Sequence, residues 1–132
     1  MSNAIRQEVS IEASPQRVYD ALLDARRFRE FTGAPAEIDP SPGGAFACFG
    51  GIVTGRNIEL VPNRRIVQAW RATNWPAGHF SIVTFDLKPT RAGTLLTFTH
   101  IGIPARRVRS IDYGWKNYYW KPIKAALERK ST

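Results

Sequence analysis

The chain is poor in the residues that build disulfides, metal sites and acid–base centres. Cys48 is its only cysteine, and His79 and His100 are its only histidines. A single cysteine excludes an intrachain disulfide and any zinc site that needs two thiolates. No spacing of these residues resembles a metal-binding motif. The sequence therefore predicts no metal site and no cofactor.

Long apolar runs are also missing. The longest nearly apolar stretch, residues 43–53, is well short of the roughly 20 residues that a membrane-spanning helix needs. The opening residues contain Arg6 and Glu8 and no apolar run, so no signal peptide is predicted. We expect a soluble, cytoplasmic protein, and its 132 residues predict a single domain over residues 1–132.

Acidic residues are outnumbered by basic ones. Nineteen Lys and Arg residues stand against eleven Asp and Glu residues, which gives a formal net charge of +8. The arginines form small clusters: Arg26, Arg27 and Arg29; Arg64 and Arg65; Arg106, Arg107 and Arg109. This balance favours acidic partners. A solvated arginine-rich surface is the simpler interpretation of each cluster.

The first third of the chain predicts a strand followed by two short helices. Residues 4–12 alternate loosely between apolar and polar side chains, which is typical of a strand. Ser14 and Pro15 are a capping hydroxyl and a residue with a helical φ, so a helix should begin there. Asp24 can cap a second helix, and Gly33 should end it.

From residue 36 onward the pattern changes to short extended segments separated by turns. Gly, Pro and Asn residues mark the breaks, and the links are short, which predicts an antiparallel meander. The predicted strands lie near residues 36–39, 45–49, 52–61, 64–72, 80–87 and 94–101.

The last segment, Ser110 to about Arg129, predicts a long helix. At 100° per residue one face carries the apolar side chains: Ile111, Trp115, Tyr118, Tyr119, Pro122 and Ala126. Pro122 should kink this helix, since it lacks a backbone donor and clashes one turn back. The element order predicts an α+β helix-grip fold. In this fold a curved antiparallel sheet of about seven strands wraps around the C-terminal helix.

Several segments carry a family resemblance. They are FTGAPA at 31–36, GGAF at 43–46, GG at 50–51 with TG at 54–55, ELVP at 59–62, IVQAWR at 66–71, WPAGHF at 75–80, GIP at 102–104 and GWKNYYW at 114–120. Together they resemble the activator of heat-shock protein 90 ATPase homologue family, within the START-like (SRPBCC) superfamily. The resemblance covers about residues 31–127.

This resemblance implies a chaperone-associated or stress-related interaction module whose partner is a heat-shock protein 90 type chaperone. Eukaryotic activators have two domains, and the chain resembles only the carboxy-terminal one, which assists by touching the chaperone's dimerised ATPase domains. Single-domain relatives in the superfamily often bind apolar small molecules. A carrier or sensor of a small apolar ligand is therefore the alternative function.

The fold predicts a cavity between the sheet and the C-terminal helix. Its expected lining residues are Gln68, Trp70, Phe85, Phe98, His100, Trp115, Tyr118 and Tyr119. Aromatic side chains also dominate ordinary cores, so these residues fill the cavity on one interpretation and bind a ligand on the other. Gln68, His100 and the tyrosine hydroxyls are the polar groups that could orient a ligand.

The sequence gives little support for an enzymatic activity or for nucleic-acid binding. His100 could act as a base, but no nucleophile–base pair is visible and Cys48 lacks a neighbouring cation, so no enzyme is predicted. Residues 115–121 interleave aromatic and basic side chains, yet nucleic-acid binding is disfavoured because the aromatics share the core face. Trp75 and Trp120 should lie outside that face. Each either folds onto nearby side chains as a satellite cluster or anchors a protein contact. Whether the chain forms a homodimer is left open.

Overall fold

Seven antiparallel strands form one open, curved sheet in the computed structural model, which describes residues 4–128. The strands are β1 (Ile5–Ile11), β2 (Ala36–Ile38), β3 (Ala45–Cys48), β4 (Val53–Val61), β5 (Arg65–Ala72), β6 (Ser81–Pro89) and β7 (Thr94–Ile101). Their order in the sheet is β1-β7-β6-β5-β4-β3-β2, so the first strand closes the edge beside the last. The predicted helix-grip fold is confirmed.

Strict alternation of side chains decides which face of the sheet is covered. In β7, Leu96, Phe98 and His100 are buried, whereas the residues between them are half-buried. β5 and β6 show the same period, with buried residues at every second position. Neighbouring strands keep these positions in register, as in the pair Phe85 and Phe98. One continuous apolar face therefore lines the concave side of the sheet.

Two short helices follow β1 and begin at the residues that the sequence indicates. α1 (Pro15–Leu23) starts after Ser14, whose hydroxyl accepts a hydrogen bond from the Arg17 backbone N–H. α2 (Ala25–Thr32) starts after Asp24, whose carboxylate accepts one from the Arg27 N–H at 3.0 Å. Gly33 ends α2 with a φ of 71°, a conformation that glycine adopts without strain.

The C-terminal helix is continuous from residue 108 to residue 127, but it is not uniform. A 3₁₀ turn (Ala105–Arg107) leads into α3 (Val108–Gly114), a π-helical segment (Trp115–Trp120) and α4 (Lys121–Leu127). The helix thus begins two residues before the predicted Ser110, and the predicted end at Arg129 lies outside the described residues. Within residues 4–128, no helix combines the length and the apolar character needed to cross a bilayer.

Pro122 explains the π-helical segment. A proline at this position has no N–H to donate, and its ring excludes the carbonyl group one turn earlier. The Lys121 N–H reaches back five residues to the Lys116 carbonyl instead of four. The wider turn absorbs the conflict immediately before the proline, where the sequence predicted a kink.

Gln7 of β1 fastens the C-terminal helix to the sheet at two points. Its side-chain amide donates to Asp112 Oδ1 at 2.8 Å, and its carbonyl oxygen accepts from Trp120 Nε1 at 2.6 Å. A further bond joins the Glu12 N–H to Glu128 Oε2 at 2.9 Å. The edge strand therefore fixes the helix along its length. β1 therefore helps to hold the C-terminal helix on the sheet, although it is the first strand in the chain.

Gly55 in β4 makes room for the core above it. A Cβ atom at this position would overlap the Ala69 carbonyl and lie 2.5 Å from Phe46 Cζ. Gly114, in contrast, would bring a Cβ no closer than 3.7 Å to Tyr118 and lies inside a helix. Only the first glycine is required by packing.

We expect Gly55→Ala to lower the free energy of unfolding by about 2–3 kcal/mol, the cost of overpacking a filled site. Gly114→Ala should raise it by roughly 0.5–1 kcal/mol, because alanine loses less backbone entropy than glycine in a helix. Denaturant melts of both variants measure the difference. Equal stabilities would show that β4 shifts freely over the core.

Candidate functional site

Trp115 lies at the centre of an aromatic cluster between the sheet and the C-terminal helix. Its indole is 1% exposed, and its ring centroid lies 4.1 Å from that of Tyr119 and 4.3 Å from that of Phe98. The surrounding rings within 6 Å are those of Trp70, Phe85, His100 and Trp120. Such contacts add to the burial energy when rings meet edge to face or offset.

His100 forms a complete hydrogen-bond chain inside this cluster. Trp115 Nε1–H donates to His100 Nδ1 at 3.0 Å, so the proton of the neutral ring lies on Nε2. Nε2–H then donates to Ser81 Oγ at 2.7 Å, and the Ser81 hydroxyl donates to the Trp70 carbonyl at 2.7 Å. The chain connects the C-terminal helix to β7, β6 and β5.

Burial lowers the pKa of His100 to about 3. The ring is fully buried and therefore neutral at physiological pH, with both nitrogens already engaged. Cys48 is similarly inert, since burial raises the pKa of its thiol to about 12. Neither residue is placed as an exposed nucleophile or base.

Gln68 is engaged in a second buried network, which the sequence analysis did not predict. Its Nε2 donates to Asn57 Oδ1 at 3.1 Å, and Asn57 Nδ2 donates to the Asp39 carbonyl at 2.9 Å. Asn57 is 1% exposed and borders a β-bulge in β4. The pair holds the loop between β2 and β3 against the sheet. The side-chain N–H of Gln68 is thus already bonded to another residue of the same chain.

A cavity of about 500 Å³ opens where the sheet and the C-terminal helix diverge. Its walls come from the β3–β4 turn, the end of β5, the β5–β6 loop and α3 with the π-helical segment. The lining residues are Phe49, Ile52, Val53, Trp70, Ala72, Asn74, Trp75, Arg107, Ser110, Ile111, Gly114, Trp115, Tyr118 and Tyr119. Apolar side chains form the floor, and polar ones lie at the rim. This is the usual pattern of a small-molecule site.

The structure separates the eight predicted cavity residues into three groups. Trp70, Trp115, Tyr118 and Tyr119 line this cavity. Gln68 and Phe85 instead border a space of only about 10 Å³, deeper under the sheet. Phe98 and His100 border neither space and lie in the aromatic cluster beneath Trp115. His100 bonds Ser81 and Trp115 through its two ring nitrogens, so it is not placed to orient a ligand.

Two expectations about the C-terminal helix were wrong, and both have the same cause. Tyr118, predicted on the core face, is 57% exposed, whereas Trp120, predicted off that face, is 5% exposed. In the π-helical segment each residue advances by less than 100°. The fifth residue after Trp115 therefore returns to its direction, and the rings of Trp115 and Trp120 stack with centroids 5.7 Å apart.

Trp75 lies in the core, which agrees with packing on nearby side chains and not with a surface contact. It is 4% exposed, and its ring packs 5.5 Å from Trp70 and 5.6 Å from His79. Its indole nitrogen is buried and has no hydrogen-bond partner among the described residues. Trp75 and Trp120 are therefore not placed as surface anchors for a protein partner.

Sequence reasoning missed ten of the fourteen lining residues, among them Phe49, Ile52, Trp75 and Arg107. All four lie in turns or at the entrance to a helix, where no periodic pattern assigns a face. The charge cluster of Arg106, Arg107 and Arg109 was visible in the sequence, but nothing there placed it beside a cavity. Only the three-dimensional course of the β5–β6 loop and α3 brings them together.

Comparison with protein families gives one match over nearly all of the described chain. The model of the family described as "Activator of Hsp90 ATPase homolog 1-like protein" matches residues 12–128. The human activator of 90 kDa heat shock protein ATPase homolog 1 is 35% identical over 111 residues, which is 84% of this chain and 33% of that protein. The chain spans about a third of the length of the curated relatives it matches.

Solved structures show the same fold. The crystal structure of an HSP90 activator from Plasmodium falciparum superposes with a TM-score of 0.88 at 24% identity, covering 98% of this chain and 99% of that one. The solution structure of the Aha1 dimer from Colwellia psychrerythraea gives a TM-score of 0.81 at 21% identity, covering 95% and 96%. These likenesses cover 98% and 95% of the chain and show its fold.

The buried state of His100 predicts a pH-dependent stability. Its pKa is about 3 in the folded protein against 6.5 for an ordinary histidine, so the unfolded chain binds the extra proton first as the pH falls. The free energy of unfolding therefore has its full value above about pH 6.5 and falls between pH 6.5 and pH 3. At about 1.4 kcal/mol per pKa unit, the loss is of the order of 5 kcal/mol.

Denaturant melts across this pH range should show a shallower dependence for His100→Gln than for the wild type. His79→Gln is the control, because His79 is only half-buried. A wild-type pH dependence identical to that of His100→Gln would contradict a buried neutral His100.

We expect Trp120→Ala to lower the free energy of unfolding by about 3–5 kcal/mol, the range for removing a buried large aromatic. The substitution also leaves Gln7 Oε1 without its donor. Tyr118→Ala, two residues away and mostly exposed, should change stability by less than about 1 kcal/mol. The opposite order in thermal or denaturant melts would mean that the helix is regular through this segment.

Proposed function

Because this chain belongs to the activator of Hsp90 ATPase homolog 1-like family, we propose that it is an interaction module that binds a heat-shock protein 90 type chaperone in the cytoplasm. The observation that carries the proposal is the family match over residues 12–128, which includes every helix and nearly every strand described. The curated relatives are about three times as long. ATPase stimulation by this chain alone is therefore a separate question from binding.

The charge distribution supports an acidic binding surface on the chaperone. The formal net charge is +8, and Arg106 and Arg109 are exposed at the start of the C-terminal helix. Neither forms a salt bridge with any residue in the described range 4–128. Unpaired exposed cations accelerate association with an oppositely charged surface and select against basic ones.

We also propose a second function, as a carrier or sensor of a small apolar ligand. The specific observation is the cavity of about 500 Å³, within the range of roughly 300–1,000 Å³ that is common for ligand sites. Three indole rings, those of Trp70, Trp75 and Trp115, form part of its walls. Arg107 lines this cavity, so the two proposed functions involve the same arginine cluster.

We expect the chain to bind its host's heat-shock protein 90 type chaperone with a Kd that rises at least tenfold between about 0.05 M and 0.5 M salt. Screening shortens the reach of exposed charges from roughly 10 Å at 0.1 M to 3 Å at 1 M. Titration calorimetry or biolayer interferometry at several salt concentrations measures this. Arg106→Glu/Arg109→Glu should weaken binding, with Arg26→Glu/Arg27→Glu as the charge-matched control.

A Kd that is independent of salt would contradict the electrostatic interface, and the absence of binding at 0.05 M salt would contradict the chaperone proposal itself. Chaperone ATPase rates measured in the same samples then separate binding from stimulation. We expect binding with less stimulation than a full-length relative provides, since the chain spans about a third of such a protein.

A further inference from the structure

The charge at the opening of the cavity is positive. Among the lining residues within the described range 4–128, only Arg107 carries a formal charge at neutral pH, and none is Asp or Glu. Arg106 and Arg109 flank Arg107 in the chain and add to the positive potential there. A low-dielectric cleft with a single sign of charge at its opening concentrates ligands of the opposite sign.

Most N–H donors of the Arg107 guanidinium group form no hydrogen bond within residues 4–128. In the described part of the chain it makes one hydrogen bond, a long one of 3.4 Å from Nη2 to the Asn74 carbonyl. An arginine carries five N–H donors in a planar fork that matches a carboxylate. Arg107 is half-buried, so a bond formed there is less screened than one on the open surface.

The nearest carboxylate along the helix does not compete for this group. Asp112 accepts from Gln7 Nε2 at 2.8 Å and pairs with Lys116 Nζ at 3.1 Å, on the side of the helix that faces β1. Asn74 and Ser110 complete the rim beside Arg107 with neutral polar groups. The rim therefore presents a cation that pairs with no carboxylate of residues 4–128.

We propose that the cavity binds an apolar monocarboxylate, with its hydrocarbon part against the indoles of Trp70, Trp75 and Trp115 and its carboxylate at Arg107. This inference rests on the carrier function proposed above and names its ligand class. The apolar floor excludes highly polar anions such as nucleotides, because it offers them no hydrogen-bond partners. The single cation at the rim selects a monoanion over a neutral or cationic amphiphile.

Three probes of equal chain length test the charge preference: decanoate, decanol and decyltrimethylammonium, each below its micellar concentration. Tryptophan fluorescence reports directly, since three of the four tryptophans line the cavity. We expect decanoate to bind at least tenfold more tightly than decyltrimethylammonium. Arg107→Gln should raise the Kd for decanoate at least tenfold and leave that for decanol within twofold.

Arg64→Gln is the matched control, because it removes the same charge at the β4–β5 turn, the opposite end of these strands from Val53 and Ala72 of the cavity. It should leave all three affinities within twofold. Ala72→Phe fills the cavity and should abolish binding. If Ala72→Phe does not fold, Gly114→Leu is the filling variant used instead. Decanoate binding that survives filling would be adventitious and would overturn the inference.

Different results would overturn the carrier function and the carboxylate assignment. Equal binding of decanoate and decanol, unaffected by Arg107→Gln but lost on filling, would leave the carrier function intact and overturn the carboxylate assignment. Failure of all three probes to bind would overturn both the carrier function and this inference.

Discussion

The hydrogen bond between Trp115 Nε1 and His100 Nδ1 determines how the C-terminal helix sits on the sheet. Both groups are buried in an apolar cluster where water is excluded, so either one left without its partner would cost roughly 1–3 kcal/mol. The bond thus fixes the rotation of the helix, and the Ser81 bond to His100 fixes the tautomer that makes it possible. The contact that the Trp115 ring makes with Phe98 of β7 follows from that rotation.

The π-helical segment is the second constraint, and it shapes the cavity as well as the core. Pro122 forces the wider turn just before it, which brings Trp120 inward onto Phe98 and moves Tyr118 outward. With Tyr118 at the rim instead of in the core, the space beside Trp115 stays open. A regular helix would have directed Tyr118 into that space. The local conflict at one proline therefore has a consequence one turn away, at the candidate ligand site.

The fold could be predicted in detail, because its signals are local. The caps at Ser14 and Asp24, the period of two in β5–β7 and the turn residues between strands each follow from neighbouring residues. The site was less predictable. The sequence analysis assumed 100° per residue, so it placed Tyr118 on the core face and Trp120 off it, the reverse of their places in the structure. The turn residues Phe49, Ile52 and Trp75 have no period, and the buried pair Gln68 and Asn57 depends on a contact between strands.

The two proposed functions meet at the same arginine cluster, and the physics of that position connects them. A carboxylate at Arg107 neutralises one of three neighbouring cations, while Arg106 and Arg109 remain exposed at the surface. At physiological ionic strength charges interact over roughly 8 Å, and the three arginines lie within four consecutive residues. An acidic partner approaching the start of α3 would therefore meet a weaker positive field when the cavity is filled. Because binding linkage is reciprocal, the same partner would weaken the hold of Arg107 on its ligand. Occupied cavity and bound partner would then oppose each other with no change of shape in the fold.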